Sequence, residues 1–260
     1  MQVHVERQDE IAFLTLGNRE RRNSFDITMA TALLDAVRTL AAHPPKVVVM
    51  RSSAEHFSVG GDVQHFRQLL AEEQQACMKG VEQLVGAVNE AVLGITRLPC
   101  PVLGLLNGAV AGFGLSLALS CDLLIASEDT RLHYAYGGIG ITPDGGGSWH
   151  LPRQLGLHRA LALALLNGSL TACEARSLGL IMDVVASEHL QATGLRIAGR
   201  LVAGSSAAQA GAKALLRNGL LDGLPIALEN ERETFVRLST SSDFDEGVRA
   251  FCMRRPASFG

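Results

Sequence analysis

The chain has 260 residues, of which 47% are hydrophobic and 19% are charged; this composition is typical of a globular protein and excludes an intrinsically disordered one. The net charge of −3 gives no general attraction to nucleic acid or to acidic membranes. No apolar run reaches the roughly 18 residues that a transmembrane helix needs, and the polar start MQVHVERQDE does not resemble a signal peptide. We therefore expect a cytoplasmic protein with neither nucleic acid nor a membrane as partner.

Strand and helix patterns alternate from the N-terminus onward. Residues 3–16 form two alternating apolar segments around a polar break, which predicts a β-hairpin. The polar loop NRERRNSFD, with three arginines, leads into a predicted helix over 27–42, for which Asp26 is a suitable N-cap. A buried strand, KVVVM, follows at 46–50.

The same alternation continues as far as a glycine-rich turn that carries one carboxylate, Asp144. The predicted elements in order are the loop RSSAEHFSVGGD (51–62), helices over 63–70 and 72–96, a strand over 101–108, a helix over 112–119 and a strand over 122–127. This order predicts an α/β fold with parallel strand pairing and right-handed crossovers.

Helices dominate after the turn. The patterns predict helices over 149–155, 157–166 (apolar on nearly every side and therefore expected to be buried) and 171–178, where Thr171 and Glu174 form a capping box, followed by the strand LIMDVVA. From residue 187 onward the pattern is helical. We divide the chain into a core domain, 1–197, and a helical subdomain, 198–260, whose apolar faces would suit docking against a neighbouring subunit.

The five cysteines give no sign of a disulfide framework or of a metal site. They are odd in number, widely spaced and without a C-x-x-C pair, and the eight histidines show no ligand spacing. We expect reduced, mostly buried thiols and no bound metal. The cysteines are Cys77, Cys100, Cys121, Cys173 and Cys252.

Two features could carry chemistry. Asp144 follows Pro143 and precedes three glycines, so it is either an ordinary turn or N-cap aspartate or a general base beside an apolar pocket. The turns HFSVGGD and VAGFGLS each join a strand to a helix. They are either simple tight turns or sources of unpaired amides for an oxyanion hole, typically worth ~3 kcal/mol per donor.

Other polar residues leave both structural and functional interpretations open. Ser116 lies among leucines outside any G-x-S-x-G elbow, which favours a packed helix residue over a nucleophile. The cluster His133, Tyr134 and Tyr136 could line a pocket or be structural. The arginines near both ends are solvated surface groups or contacts for a substrate that bears phosphates; they are Arg19, Arg21, Arg22, Arg254 and Arg255.

Five stretches in order resemble the crotonase superfamily of enoyl-CoA hydratases and isomerases. They are NRERRNSFD, HFSVGGD, PVLGLLNGAVAGFGLSLALSCDLLIAS, GITPDGGGSWHLPRQLG and SDFDEGVRAFCMRRPASF. The resemblance implies a spiral ββα core with a C-terminal helical trimerisation subdomain, and a homotrimer or a dimer of trimers. It also implies an acyl-CoA thioester substrate, with no cofactor apart from the coenzyme A of that substrate.

The resemblance also assigns site residues. The thioester oxygen would lie between the amide N–H groups of Ser58 and Phe113, and Phe113, Tyr136 and Trp149 would line an apolar acyl pocket. Residues expected to contact substrate or coenzyme A are Arg22, Val59, Gly60, Gly61, Asp62, Gly112, Tyr136 and Arg254.

The departures from the family pattern narrow the range of reactions that we expect the chain to catalyse. Counting along the motifs, the two glutamates of typical hydratases fall on Ser116 and Tyr136, and neither residue can act as a carboxylate base. Asp144 falls where isomerases of the superfamily carry a single acid, and its turn is similar to that of phenylacetate-pathway ring-epoxide CoA isomerases. The prediction is a one-base acyl-CoA isomerase. Other enolate reactions (hydration, decarboxylation or thioester hydrolysis) and a non-catalytic acyl-CoA-binding protein are the alternatives.

Overall fold

The computed structural model describes residues 2–260, in which strands and helices alternate as far as residue 190 and helices follow. The strands are β1 (Val3–Gln8), β2 (Ile11–Leu16), β3 (Val47–Ser52), β4 (Val102–Leu106), β5 (Ala109–Ala111), β6 (Leu123–Ser127), β7 (Arg131–His133), β8 (Ser169–Thr171) and β9 (Asp183–Val185). The α-helices are α1 (Ile27–Ala42), α2 (Val63–Leu69), α3 (Gln74–Arg97), α4 (Phe113–Ser120), α5 (Gly147–Leu155), α6 (Leu157–Leu165), α7 (Ala172–Ser177), α8 (Leu190–Val202), α9 (Ser206–Asn218), α10 (Leu224–Leu238) and α11 (Ser242–Cys252).

The larger sheet has the strand order β1-β2-β3-β4-β6-β9. The hairpin β1–β2 is antiparallel, with Val3 opposite Leu16, and every other neighbouring pair in this sheet is parallel. The predicted hairpin and the parallel pairing of the later strands are confirmed.

Both faces of this sheet are covered, which explains the continuous apolar run Val47–Met50 in the central strand β3. In β3, Val48 and Met50 pack into a core with α1 and α3. The alternate residues, Val47 and Val49, pack into a second core with Ile197 and other residues of α8. A strand buried on both sides loses the polar alternation of a half-exposed one, because successive side chains point to opposite faces.

A second, three-stranded sheet, with the order β5-β7-β8, was not predicted. Each of its strands has three residues, which is too short for a period-2 pattern to be recognised in the sequence. This sheet is important for the site because β5 leads directly into α4 and β7 leads into Tyr134 and Tyr136.

The prediction that the helix following Gly156 is buried is wrong. In α6, only Ala160 and Leu163 are buried, whereas Leu157 is 66% exposed and Leu165 is 79% exposed. Apolar residues on several sides of a helix show that those sides favour burial. They do not show that the surface that buries them belongs to the same chain.

The helical pattern predicted from residue 187 onward is confirmed by the four helices α8 to α11. The boundary proposed at 197/198 lies inside α8, which packs on the sheet through Ile197 and Ala198. The next helix, α9, is held to the core by Asp122, which lies 2.7 Å from Lys213 Nζ and 2.6 Å from Arg217 Nη2. The division into two units stays a prediction.

The expectation of mostly buried thiols is correct for Cys100 and Cys121 but wrong for Cys173 and Cys252, which are exposed. The two buried thiols lie shortly before the strands β4 and β6, and burial raises the pKa of Cys100 to about 11 and that of Cys121 to about 12. Among residues 2–260, no helix combines the length and the apolar character needed to cross a bilayer.

Candidate active site

The first turn of α4 offers an unpaired backbone donor. The N-cap of this helix is Gly112, which has no side chain to accept hydrogen bonds from the first amides. Phe113 is the first helical residue, and its N–H reaches no acceptor within residues 2–260. Because the Phe113 side chain is buried beneath this turn, the amide belongs to a rigid part of the core, as the oxyanion-hole prediction requires.

The amide of the second predicted donor, Ser58, is hydrogen-bonded within the chain. Its N–H donates to the carbonyl oxygen of Ala109 at 3.2 Å, and its own carbonyl accepts from the Ala111 N–H at 2.9 Å. These two bonds form an isolated parallel bridge between the loop and β5. An amide that is already paired in this way is not available to a substrate oxygen.

Gly61 carries the unpaired amide of this loop. Its neighbours are bound on both sides, since Phe25 N–H donates to Gly60 O at 2.8 Å and Asp62 N–H donates to Phe25 O at 3.0 Å. The Gly61 N–H itself reaches no acceptor in the described part of the chain. The pairing partner of Ser58 lies about fifty residues away in the sequence, so local pattern alone could not separate these two amides.

Gly60 brings the two turns together. Its φ is +89°, and a Cβ at this position would lie 2.8 Å from Ala111 O and 3.3 Å from Phe113 N. Only glycine accepts both this backbone conformation and this close approach. The unpaired amides of Gly61 and Phe113 are therefore held on adjacent turns, and two such donors can stabilise the negative charge that develops on a carbonyl oxygen.

The N-terminal polar loop supports the Gly61 turn through Asn23, which is completely buried. The Asn23 Oδ1 accepts from the Asn18 N–H at 2.8 Å, and its Nδ2 donates to Ser52 Oγ at 2.8 Å and to Phe57 O at 3.0 Å. The Ser58 hydroxyl in turn donates to Asn23 O at 2.7 Å. The two asparagines of the NRERRN motif thus have a structural function in positioning the loop.

Asp62, predicted to contact the substrate, is buried and fully engaged within the chain. Its side chain caps α2 by accepting from the Gln64 N–H at 2.8 Å, and it also pairs with Arg21 Nη1 at 2.7 Å. Burial raises the pKa of the carboxyl, but the hydrogen bonds from Arg21 and from the helix amides outweigh it, so the pKa is lowered overall. Asp62 therefore fixes the end of the Gly61 turn.

The remaining predicted binding residues differ in their exposure to solvent. Val59 and Gly61 are partly exposed in the turn, while Gly60 and Gly112 form the buried contact between the turns. Two of the arginines, Arg22 and Arg254, are exposed and have positive φ, and neither guanidinium forms an ion pair within residues 2–260. The described chain thus shows no link between Arg254 and the other predicted residues.

Asp144 lies at the end of a hydrogen-bonded chain of three side chains. The Tyr136 hydroxyl donates to Asp144 Oδ1 at 2.7 Å, and Ser116 Oγ lies 2.8 Å from the same hydroxyl. The N-cap of α5 is Gly146, so Asp144 is not the helix cap that the sequence left as an alternative. Burial raises the pKa of the Asp144 carboxyl, and the hydrogen bond from Tyr136 offsets part of that rise.

Gly145 attaches the Asp144 turn to the first turn of α4. A Cβ at Gly145, where φ is +55°, would lie 2.6 Å from Phe113 Cε2. The Gly145 N–H donates to Asn89 Oδ1 of α3 at 3.0 Å. Asn89 was missed in the sequence, because a polar residue on a long amphipathic helix looks like any solvated position. Asp144, Phe113, Ser116 and Tyr136 are therefore brought together, as predicted.

A cleft of about 560 Å³ opens behind the Asp144 turn. It is lined by Gly146, Trp149 and His150 on one side and by Asn89 and Val92 of α3 on another. Trp149 lies in this cleft, whereas Phe113 and Tyr136, with which it was predicted to share an apolar pocket, do not line it. In the described residues, no group of His, Cys, Asp or Glu side chains is arranged to hold a metal ion.

Comparison with known proteins gives one consistent family. The family model for enoyl-CoA hydratase/isomerase matches residues 6–260. A Rhodobacter capsulatus protein named "Probable enoyl-CoA hydratase" is 33% identical, with 99% of this chain and 97% of that protein covered. The trans-2-decenoyl-[acyl-carrier-protein] isomerase of Streptococcus mutans is 32% identical, with 96% and 94% covered. The 1,2-epoxyphenylacetyl-CoA isomerase of Escherichia coli is 30% identical, with 98% and 96% covered.

The fold agrees with these relatives. The crystal structure of an enoyl-CoA hydratase from Polaromonas sp. JS666 superimposes with a TM-score of 0.92 at 29% identity, and 99% of each chain is covered. The names of the relatives include both hydratases and isomerases, so the reaction has to be argued from the residues at the site.

Proposed function

The chain belongs to the enoyl-CoA hydratase/isomerase family, the crotonase superfamily, and within that family we propose that it is an acyl-CoA isomerase. It moves a double bond, or rearranges a CoA ester, by proton transfer through a thioester enolate. One observation carries this proposal: the single carboxylate among Ser116, Tyr136 and Asp144 is Asp144, and the other two side chains are hydrogen-bonded to form a chain that ends on it.

The oxyanion hole of the proposed reaction is formed by the amides of Gly61 and Phe113. Removal of a proton next to a thioester carbonyl places negative charge on the carbonyl oxygen. Two fixed N–H donors stabilise that charge, typically by ~3 kcal/mol each, without having to reorient during the reaction. The contact at Gly60 supports this role, because it holds the two amides on adjacent turns.

Asp144 acts as the single base. Its raised pKa, caused mainly by burial, makes the carboxylate a stronger base than an exposed aspartate. It takes a proton from one carbon and returns it to another, so the carboxyl ends the cycle as it began. Addition of water would also require a group that directs and deprotonates that water, and the hydroxyls of Ser116 and Tyr136 cannot accept its proton in the way a second carboxylate would.

Substrate contacts and assembly complete the proposal. The exposed residues Arg22 and Arg254 would bind phosphates of coenzyme A, and the loop from Ser58 to Asp62 would lie near its adenine. The protein would assemble as a homotrimer or a dimer of trimers. No cofactor takes part, since coenzyme A enters with the substrate.

Asp144→Asn tests the proposed role directly. The amide keeps the shape of the side chain but cannot take up the proton, so isomerisation of 3-enoyl-CoA esters should fall by at least about 100-fold while binding of the CoA ester is kept. Asp35→Asn, on the exposed side of α1, is the matched control and should keep full activity. Turnover of the Asp144 variant at the wild-type rate would exclude Asp144 as the base.

The alternatives are separated by the products. Hydration would give a 3-hydroxyacyl-CoA, decarboxylation would release carbon dioxide, and thioester hydrolysis would release free coenzyme A. A non-catalytic protein would bind the ester without any of these changes. Because the Streptococcus mutans relative is named for an acyl-carrier-protein substrate, the panel should include carrier-protein thioesters beside the CoA esters.

A further inference from the structure

The side chains of Ser116 and Tyr136, which replace carboxylates in the family pattern, form an ordered hydrogen-bond chain. We propose that Tyr136, oriented by Ser116, is a positioning residue that holds Asp144 Oδ1 and thereby presents Oδ2 to the substrate as the basic oxygen. This inference rests on the proposed function, because it assigns a task to the residues that surround the proposed base.

The direction of the chain follows from the number of protons. An ionised carboxylate can only accept hydrogen bonds, so the single phenolic proton of Tyr136 is donated to Asp144 Oδ1. The contact between Ser116 Oγ and Tyr136 Oη, at 2.8 Å, must then use the proton of the serine. Ser116 therefore donates to Tyr136, which donates to Asp144, and the first hydrogen bond strengthens the second.

Because its side chains are buried, water cannot easily replace a hydroxyl group in this hydrogen-bond chain. Ser116 is 1% exposed and Tyr136 is 5% exposed. The Tyr136 ring also packs edge-on against Tyr134, with ring centroids 5.2 Å apart. The phenol of Tyr136 therefore keeps one position, and loss of its hydroxyl would leave Asp144 Oδ1 without that donor.

The backbone before Tyr136 is shaped to aim this side chain. Ala135 has a φ of +61°, a left-handed conformation that residues with a Cβ rarely adopt and that persists only where surrounding contacts enforce it. It reverses the chain between β7 and Tyr136, whose N–H donates to Tyr134 O at 2.9 Å. The strain is thus located at the residue that sets the direction of the tyrosine.

The hydrogen bond from Tyr136 to Asp144 also closes a loop of the backbone. Tyr136 and Asp144 lie at the two ends of the segment 137–143, of which residues 137–142 are exposed. On its other side the Asp144 turn is held by the bond from Gly145 N–H to Asn89. Without Tyr136, the Asp144 turn would keep a single side-chain contact, the one with Asn89. The carboxylate of Asp144 would then be free to rotate.

The free oxygen, Asp144 Oδ2, accepts no hydrogen bond from residues 2–260. A proton taken from the substrate would be carried on Oδ2, while Tyr136 continues to donate to Oδ1. Burial and the neighbouring carboxylate both raise the pKa of Tyr136, so its phenol stays protonated throughout. The proton held on Oδ2 therefore returns to the substrate and does not pass to the tyrosine.

The groups that surround Asp144 come from α3, α4, α5 and the segment before Tyr136. They are Phe113 and Ser116 from α4, Asn89 from α3, Tyr134 behind Tyr136, and His150 from α5, which packs on Gly146. Burial lowers the pKa of His150 to about 4 and raises that of Tyr134. Because His150 also titrates at acidic pH, the shift of the acidic limb is assigned to Asp144 by comparing Tyr136→Phe, which leaves His150 in place, with the Tyr134→Phe control.

Tyr136→Phe tests the inference, because it removes the hydroxyl and keeps the ring. A hydrogen bond to a carboxylate favours its ionised form, so the acidic limb of kcat/KM should move upward by about one to two pH units. At the plateau kcat should fall about tenfold or more, since the base is no longer oriented, while KM stays within about twofold. Ser116→Ala, which acts through Tyr136, should shift the limb in the same direction by a smaller amount.

Tyr134→Phe is the matched control. It removes a hydroxyl from the neighbouring ring, which forms no hydrogen bond with Asp144 in the described chain, and it should leave the limb and kcat unchanged. If Tyr136→Phe keeps the wild-type limb and kcat, the inference is overturned. If that variant does not fold, Ser116→Ala decides the question, and an unshifted limb there also overturns the inference.

The two proposals fail in different ways. If Asp144→Asn retains turnover, the proposed function itself is wrong. If Asp144→Asn is inactive but Tyr136→Phe behaves as the wild type, Asp144 is the base and only the positioning role of Tyr136 is wrong.

Discussion

At the scale of single residues, Asp144 shows how a carboxylate is made basic without a charged neighbour. Burial disfavours its ionised form and raises its pKa, and hydrogen bonds from Tyr136 and from the backbone of Asp144 itself offset part of that rise. A largely buried carboxylate that is held by neutral donors alone carries a cost in folding free energy at any pH where it is ionised. That cost can be measured separately from catalysis.

Asp144→Asn should stabilise the protein at neutral pH. The folded carboxyl binds its proton more tightly than the unfolded one, so the stability of the wild type falls as pH rises from about 3.8 through the raised folded pKa. The asparagine variant lacks this dependence, and its advantage in free energy of unfolding should be larger at pH 7 than at pH 3.5. Urea titrations at the two pH values measure the difference. An equal difference at both pH values would contradict the assigned pKa shift.

At the scale of elements, the site depends on two strand-to-helix turns that meet. The bridge from Ser58 to β5, the network around Asn23 and the cap at Asp62 all fix the turn that carries Gly61. The contact at Gly60 then sets its distance from the first turn of α4. A change at Gly60 should therefore affect both the stability of the Gly61 turn and the position of the two proposed oxyanion donors.

Gly60→Ala should separate the two turns. The added methyl group would meet Ala111 O at 2.8 Å in a backbone conformation that alanine rarely adopts. We expect kcat/KM to fall by about 100-fold, because even a displacement of about 1 Å disturbs the oxyanion donors. Gly86→Ala is the matched control, since nothing lies within 4 Å of its Cβ position and alanine favours the helix. Equal activity of the two variants would show that the contact between the turns is not needed.

His150, on α5, makes the element that follows Asp144 sensitive to acid. Its side chain is 4% exposed, and burial, followed by the nearby charges of Arg217 and Arg153, lowers its pKa from 6.5 to about 4. Between these values the unfolded chain binds a proton that the folded chain does not, so stability falls by about 3 kcal/mol as pH decreases from 6.5 to 4. His150→Gln should remove this loss in denaturant titrations, whereas His158→Gln, on the exposed side of α6, should keep it. A wild-type pH dependence in His150→Gln would contradict the shift.

The elements also show what the sequence could predict. Asp26 was identified as the cap of α1, and it accepts from the Met29 N–H at 2.8 Å, because capping depends only on neighbouring residues. That the Ser58 amide is paired and the Gly61 amide is not could not be predicted, because the pairing of an amide depends on a distant strand. The link from Tyr136 to Asp144 could not be foreseen either, since it requires the left-handed turn at Ala135, a residue with no local preference for that conformation.

At the scale of the whole molecule, large apolar side chains remain exposed on α6 and on the C-terminal helices. Phe251 is 86% exposed on α11, Leu224 is 70% exposed on α10, and Leu165 is 79% exposed on α6. Exposed apolar surface of this extent marks a contact with another molecule. It agrees with the proposed assembly of three identical chains, in which such surfaces would be buried.

Light scattering coupled to gel filtration tests the assembly. We expect a mass that is three or six times the 27.6 kDa of one chain. Phe251→Glu should lower that mass if α11 lies in the interface, because a buried, unpaired carboxylate is costly. A wild-type protein that is monomeric at micromolar concentration would contradict the proposed assembly.

The central claim is that Asp144 relocates a proton of an acyl-CoA thioester through an enolate. The most direct measurement is NMR analysis of the products formed from 3-enoyl-CoA esters, and from an aromatic-pathway ester, in deuterated water by the wild type and by Asp144→Asn. The account predicts isomerised products, with deuterium exchange next to the thioester carbonyl, in the wild type and neither in the variant. A 3-hydroxyacyl-CoA product, or the same exchange in both proteins, would contradict it.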